Sequence, residues 1–323
     1  MEISFGLTSS QPLDQITGIA GLVDRYGGSL WIREDAEGRH DIFSLAAFLA
    51  SRCRNARLGI GVSNPLYHNI TTIARAVALT TEIGGSGLRL GLGVGGINRF
   101  RSRIPRADQT EALCGASRIL REIWQGGAVS YRSSGYRLSG YISIVRPRRR
   151  IPIYLGSSRP RILRLAGKVA DGVVLSGPRP YLAKAVELVG SGLREAGKSR
   201  RSFTVVAWNP GFVIEDPKSF ESLRHFATYV IAGMPKAAIN RHGIDADKME
   251  DIRRRVADGD IGGASRLVGE ELLKTFTFYG TPREICQGMR SLEGVGIDEA
   301  VLGPPYGVDW RSAVLEMIRE CRA

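Results

Sequence analysis

The stretch IPIYLGSSRPRILRLAGKVADGVVLS, from Ile151 to Ser176, has the pattern of a strand, a tight turn, a helix and a second strand. The first apolar run ends at Gly156. After the turn, apolar residues recur at helical spacing until a second apolar run ends at Leu175. Two strands joined by a helix are typical of a βαβ unit with a parallel sheet. This segment therefore indicates an α/β fold.

The turn after Gly156 has the composition of an anion-binding site. Ser157 and Ser158 supply hydroxyl donors, and Arg159 supplies positive charge. Pro160 suits a first helical turn because its missing N–H would have no partner there. The free N–H groups and the positive end of the helix dipole favour a phosphate at this position. An ordinary turn in which a serine caps the helix explains the same residues, so both interpretations stay open.

Strand-like and helix-like segments alternate along the whole chain. Eight strands are predicted, most of them followed by a helix: Ile3–Leu7, Ser29–Ile32, Arg57–Val62, Leu88–Val94, Ile153–Leu155, Val173–Leu175, Phe203–Ile214 and Ile297–Leu302. This rhythm fits an open doubly wound sheet or a closed (β/α)8 TIM barrel. The count of eight favours the barrel. The glycines between Gly91 and Gly96 are weak evidence for a dinucleotide site because they end the fourth strand.

Two segments break the alternation. Residues 128–144 are rich in tyrosine and serine, as in a hairpin insertion, and residues 218–273 are mostly helical without a clear strand. We expect one domain over residues 1–323 that carries these two insertions.

The chain is strongly basic. It has 323 residues and a formal net charge of +13, almost all of it from arginine. The basic residues are spread along the sequence, with the densest run at Arg146–Arg150, and no nucleic-acid-binding motif occurs. No apolar run reaches the roughly 20 residues needed to span a bilayer, and no signal-peptide pattern opens the chain. We therefore expect a cytoplasmic protein that binds neither nucleic acid nor membranes.

Residue types that commonly bind metals are scattered. Neither the cysteines nor the histidines have metal-ligand spacing, so we predict no metal site. Each cysteine is interpreted as a small, buried side chain in a helix. The residues concerned are Cys53, Cys114, Cys286 and Cys321, and His40, His68, His225 and His242.

Several strand ends resemble the bacterial-luciferase-like superfamily. The segments are LGIGVSNP (Leu58–Pro65), LRLGLGVGG (Leu88–Gly96), IPIYLGSSRP (Ile151–Pro160) and DGVVLSG (Asp171–Gly177). Within the superfamily, the chain resembles the coenzyme F420-dependent methylenetetrahydromethanopterin reductases of archaea. Three C-terminal segments carry this second likeness: VIAGMPKAAINRHGID (Val230–Asp245), GDIGGASRLVGEELLKTF (Gly259–Phe276) and YGTPREI (Tyr279–Ile285). The resemblance covers essentially the whole chain and implies a luciferase-like (β/α)8 barrel.

The resemblance also implies a cofactor. F420 is a 5-deazaflavin that carries a hydride, and it would lie across the strand ends. Its phosphate would bind at Gly156, Ser157 and Ser158, with Ser176 and Gly177 on the neighbouring strand end. These positions agree with the anion-binding interpretation of the turn.

One face of the deazaflavin would lie against the end of the third strand. The family carries a cis peptide bond there that does not involve proline, and in this chain that bond would join Gly61 and Val62. The resemblance implies four further cofactor-binding residues: Ser63, Asn64, Gly95 and Gly96.

The chain departs from the reductase pattern at acidic positions. The family usually has Asp-His after the second strand, and this chain has Glu34 and Asp35, so one carboxylate remains and the histidine does not. Thr8 stands where the reductases carry a glutamate, and Gly96 stands where they carry an aspartate. The resemblance therefore implies the cofactor more directly than the substrate.

The implied reaction is direct hydride transfer between F420 and a small-molecule substrate. Candidate catalytic residues are Glu34, Asp35 and Tyr229, with Glu34 as a proton donor. An ion pair with Arg33 or Arg39, or a solvated loop, explains the two carboxylates without catalysis, and packing explains Tyr229.

Two alternative functions stay open. The first is an FMN-dependent luciferase-like monooxygenase, and the second is a non-catalytic barrel that binds a phosphorylated ligand. On the assembly, the resemblance implies a homo-oligomer, either a dimer or a tetramer.

Overall fold

The computed structural model describes residues 1–35, 38–84, 87–94, 108–234 and 245–322. The strands are β1 (Glu2–Thr8), β2 (Ser29–Arg33), β3 (Arg57–Ser63), β4 (Leu88–Gly93), β5 (Ala128–Arg132), β6 (Arg137–Ile142), β7 (Ile153–Gly156), β8 (Gly172–Leu175), β9 (Thr204–Val213), β10 (Phe278–Gly280) and β11 (Glu299–Tyr306). The helices are α1 (Leu13–Tyr26), α2 (Ile42–Arg52), α3 (Ile70–Ile83), α4 (Gln109–Gln125), α5 (Pro160–Val169), α6 (Arg179–Glu195), α7 (Pro217–Ala232), α8 (Ala246–Ala257), α9 (Ile261–Leu267), α10 (Glu270–Phe276), α11 (Pro282–Arg290) and α12 (Trp310–Arg322).

The main sheet has the strand order β10-β9-β11-β1-β2-β3-β4-β7-β8, and β8 also pairs with β9. Leaving aside the short β10, eight parallel strands with surrounding helices form a closed (β/α)8 barrel, which confirms the predicted fold class. The antiparallel pair β5–β6 lies within the segment predicted as a hairpin. Among the described residues, no helix is both long and apolar enough to cross a membrane.

The chain divides into two compact units. The N-terminal unit comprises Leu7–Val174 and Leu188–Thr204, and the C-terminal unit comprises Met1–Gly6, Leu175–Glu187 and the chain from Val205 onward. In the C-terminal unit, α7, α8 and α10 bury apolar residues of the region predicted as helical. This core includes Phe212, Leu223, Met249, Leu273 and Phe276.

Asp171 joins several segments of the N-terminal unit. Its Oδ2 accepts hydrogen bonds from the backbone N–H of Ile153 at 2.8 Å and from Arg121 at 2.7 Å, and its Oδ1 pairs with Arg150. Burial opposes the charge, but the Ile153 N–H and the two guanidinium groups outweigh it and lower the pKa of Asp171. Arg150, in the basic run of the sequence, thus has a partner within its own unit.

Two of the four cysteines are paired. Cys286 on α11 and Cys321 on α12 form a disulfide, with their Cα atoms 5.3 Å apart. Cys286 is buried as predicted, whereas Cys321 is only half-buried, and the bond between the two was not predicted. Cys53 is a buried free thiol, and Cys114 is a half-buried one.

Candidate active site

The end of β3 is built around the indole of Trp31 on β2. A Cβ atom would lie 2.5 Å from Trp31 Cε3 at Gly59 and 2.7 Å from it at Gly61, so the ring lies directly on glycine backbone. The Arg89 guanidinium stacks 4.3 Å from the ring centre, and Tyr154 meets the ring edge-on at 5.4 Å. Alternate glycines on β3 are thus required because a large buried ring occupies the space of their side chains.

Val62 forms the next layer of the site. The peptide bond between Gly61 and Val62 is cis, as predicted. A Cβ atom at Gly93 would lie 2.6 Å from Val62 Cγ2, and one at Gly156 would lie 2.7 Å from Val62 Cγ1. At Gly91, a Cβ atom would collide with the backbone oxygen of Ile60. The glycines that end β4 and β7 therefore make room for the side chain of Val62.

Glu34, directly after β2, is held by the segment that follows β3. Its Oε2 accepts hydrogen bonds from Ser63 Oγ at 2.8 Å and from the backbone N–H of Asn64 at 2.9 Å. Its Oε1 lies 2.5 Å from His68 Nε2. The carboxylate is only 12% exposed. Three predicted site residues, Glu34, Ser63 and Asn64, are thus brought together, and sequence reasoning missed the fourth member, His68.

The imidazole of His68 is held on two sides. Its side chain is 22% exposed, and its ring meets Phe43 edge-on at 5.0 Å. The hydrogen bond with Glu34 raises the pKa of His68, and the charges of Glu34 and Asp41 act in the same direction against the opposing effect of burial. The position of His68 shortly after Ser63 and Asn64, between a strand end and the next helix, is the signal in the sequence that could have identified it.

Asp35 has a different role from its neighbour. Its Oδ1 pairs with Arg33 at 2.9 Å, and its backbone N–H donates to Ser9 Oγ at 2.9 Å. This is the ion pair with Arg33 that the sequence offered as the non-catalytic explanation. Glu34, in contrast, pairs with His68.

The turn after β7 leaves the start of α5 open. Arg159 is the N-cap residue and makes no side-chain capping bond, and Pro160 occupies the first turn. Ser157 Oγ accepts the backbone N–H of Arg159 at 3.1 Å and does not cap the helix, so the ordinary N-cap-serine interpretation of the turn is wrong. Ser158 is half-buried and Arg159 is exposed. An uncapped helix N-terminus with hydroxyl and guanidinium groups beside it suits an anion.

The other predicted site residues that are described lie in the C-terminal unit. Ser176 is half-buried, and the carbonyl of Gly177 accepts a hydrogen bond from Asn209 Nδ2 at 3.1 Å. Tyr229 on α7 is 45% exposed and meets His225 edge-on at 5.8 Å. The functional roles of these residues stay predictions. Gly95 and Gly96 lie outside the described residues.

Comparison with known proteins agrees with this architecture. The family model described as luciferase-like monooxygenase matches residues 2–299. The 5,10-methylenetetrahydromethanopterin reductase of Archaeoglobus fulgidus is 30% identical over 88% of this chain and 87% of its own length. The F420-dependent glucose-6-phosphate dehydrogenase of Mycolicibacterium gilvum is 30% identical over 83% of this chain and 80% of its own length.

A solved structure is also similar over almost the whole chain. The coenzyme F420-dependent tetrahydromethanopterin reductase of Methanopyrus kandleri superposes with a TM-score of 0.87 at 25% identity. The match covers 99% of this chain and 98% of that one.

Proposed function

The chain belongs to the luciferase-like monooxygenase family, and from this premise we propose that it is a coenzyme F420-dependent oxidoreductase. It transfers a hydride between F420 and an electrophilic carbon of a small-molecule substrate. Two similar proteins, the F420-dependent tetrahydromethanopterin reductase of Methanopyrus kandleri and the F420-dependent glucose-6-phosphate dehydrogenase of Mycolicibacterium gilvum, share the cofactor but act on different substrates, and this supports the cofactor assignment. The observation that carries the proposal is the arrangement at the end of β3, where Ser63 and Asn64 hold the carboxylate of Glu34 in one orientation.

The residues of the N-terminal unit fit a phosphorylated deazaflavin. Gly156, Ser157 and Ser158 would hold the phosphate at the uncapped start of α5, where N–H groups and the charge of Arg159 favour an anion. The backbone of Gly61 and Val62 would support one face of the ring. A side chain at Gly93 or Gly156 would collide with the methyl groups of Val62, so glycine at these positions allows Val62 to occupy this place.

The cofactor and the protein would contribute different parts of the reaction. Bound F420 supplies hydride transfer without single-electron steps. The protein supplies position and a proton: Glu34 is fixed by Ser63 and Asn64, so its carboxylate holds one orientation at the strand end. Fixing a reacting group in this way lowers the entropic part of the barrier. Asp35, paired with Arg33, contributes to the shape of the loop.

Cofactor titration tests the proposal. F420 fluorescence is followed as wild-type protein is added, with FMN titrated in parallel. We expect saturable binding of F420 and no comparable binding of FMN. Binding of FMN together with FMN-dependent oxygen consumption would instead favour the monooxygenase alternative. Failure of both to bind below the millimolar range would contradict both enzyme functions.

Ser157→Asp tests the phosphate position. The aspartate can still accept the Arg159 N–H and suits a helix N-terminus, so the fold is retained. Its charge repels a phosphate, and we expect F420 affinity to fall by at least about tenfold. Ser139→Asp, on the exposed strand β6, adds the same charge elsewhere as a control. Equal affinities for the two variants would place the phosphate elsewhere.

A further inference from the structure

Glu34 is arranged as an acceptor. A carboxylate offers about four lone-pair sites. Among the described residues, Ser63 Oγ and Asn64 N donate to Oε2, and His68 Nε2 lies against Oε1. Oε2 already accepts two donors, and Nε2 of His68, which carries a hydrogen in the protonated imidazole, is the donor to Oε1. One lone-pair site on Oε1 is left without a donor from this part of the chain.

The surroundings of His68 favour its protonated form. Glu34 after β2 and Asp41 at the N-cap of α2 are the charged groups that act on it, and both are acidic. The ring of Phe43 on α2 covers one side and carries no charge. A proton shared by this group therefore lies on the imidazole, next to a carboxylate that is oriented by two further hydrogen bonds.

We propose that His68 is a positioning residue that holds the proton delivered to the substrate by Glu34. This inference rests on the proposed function, because a hydride transfer that yields a neutral product needs one proton as well. In the reductive direction, reduced F420, when bound, would supply the hydride and its electron pair to the substrate carbon. His68 Nε2 passes its proton to Glu34 Oε1, and Oε1 delivers it to the substrate heteroatom, so that His68 is left as a neutral imidazole. The neutral imidazole then takes a proton from solvent.

Proton titration by NMR tests the pair without any cofactor. The resonance of His68 is identified by its loss in His68→Gln. We expect it to titrate above the ordinary value of about 6.5 in the wild type and at or below that value in Glu34→Gln. The resonance of His225, which is exposed on α7, serves as an internal reference when the two proteins are compared. An unchanged His68 midpoint in Glu34→Gln would overturn the pairing.

Kinetics tests the role of the pair in turnover. Reduced F420 is the donor and methylenetetrahydromethanopterin is the probe acceptor. We expect His68→Gln to lower kcat by about 10²-fold and to remove the fall of kcat at alkaline pH. The Kd for F420 should stay within about twofold of the wild-type value. Added imidazole should restore part of the rate of His68→Ala. Arg137→Gln, on the exposed strand β6, is the control and should behave as the wild type.

The outcomes separate this inference from the proposed function. Wild-type protein that binds and oxidises reduced F420, with an unchanged pH profile in His68→Gln, would overturn the role of His68 alone. Wild-type protein that does not bind F420 would overturn the proposed function and this role together, whereas the NMR titration would still decide whether Glu34 and His68 are paired.

Discussion

Among single residues, two carboxylates of the N-terminal unit have different surroundings. Glu34 accepts hydrogen bonds at a strand end, beside a half-buried histidine. Asp171 is bound by two arginines and a backbone N–H that join segments of the fold. The partners of Glu34 are uncharged donors and a histidine, whereas those of Asp171 include two permanently charged guanidinium groups.

The pairing of His68 with Glu34 predicts a pH-dependent contribution to stability. Because the folded state raises the pKa of His68, the stabilisation is complete below the ordinary pKa of histidine and is lost as the pH rises through the folded value. The free energy of unfolding should therefore differ more between wild type and His68→Gln at pH 6 than at pH 9. Urea denaturation at both pH values measures this, with His225→Gln as the control. A difference that is independent of pH would contradict the pairing.

The contribution of Asp171 to the free energy of unfolding should have the opposite pH dependence. Its folded-state pKa is lowered, so its stabilisation is present above the ordinary pKa of aspartate and is lost as the pH falls through the folded value. Asp171→Asn should lower the free energy of unfolding by about 3 kcal/mol near neutral pH, because Arg121 and Arg150 lose their anionic partner. The deficit should shrink in acid. A constant deficit between pH 7 and pH 3 would argue against the ion pairs as its cause.

At the scale of elements, the glycines of β3, β4 and β7 have a shared explanation. They provide the space that Trp31 and Val62 fill, rather than forming a dinucleotide-binding loop. The sequence placed these glycines at strand ends correctly. It could not show that two side chains from β2 and β3 require them, because that depends on the strand order and on which face each side chain takes.

Gly91→Ala tests this packing. The new Cβ would meet the backbone oxygen of Ile60, which cannot move aside as a flexible side chain could. We expect the free energy of unfolding to fall by about 2–3 kcal/mol. The matched control is Gly21→Ala on α1, where a Cβ meets nothing within 4 Å and where alanine should be neutral or stabilising by about 0.5–1 kcal/mol. Equal effects of the two substitutions would contradict the packing.

At the scale of the whole molecule, the repeated strand–helix pattern was sufficient to predict the barrel. Each βα repeat carries its own local signal, and the count of eight selected the closed sheet. Two contacts were not predicted because they join residues that are distant in the sequence. Glu34 and His68 are 34 positions apart, and Cys286 and Cys321 are 35 positions apart. Such contacts depend on the course of the loops and on how the helices pack, and neither of these produces a periodic pattern in the sequence.

The disulfide between Cys286 and Cys321 leads to two predictions, one for the number of reactive thiols and one for the stability of a variant without the bond. Two of the four cysteines, Cys53 and Cys114, should react with a thiol reagent in denaturant before reduction, and all four should react after it. Cys321→Ser should lower the free energy of unfolding by up to about 3–4 kcal/mol, and added reductant should then have no further effect on the Tm. Four reactive thiols in the unreduced, denatured protein would contradict the pairing of Cys286 and Cys321.

Hydride transfer to or from F420 is the reaction on which the proposed roles of Glu34 and Ser157 depend. To test it, F420 reduced with deuterium at the ring carbon that carries the hydride is incubated with the protein in the absence of oxygen. Methylenetetrahydromethanopterin is the first acceptor, and simple imines and ketones are further acceptors. The position of the deuterium in the product is then measured. We expect F420 to be oxidised with the deuterium label on one carbon of the product. In Glu34→Gln, this transfer of deuterium should be lost. Oxidation of the cofactor only in the presence of oxygen, with no label in any product, would contradict hydride transfer by this protein.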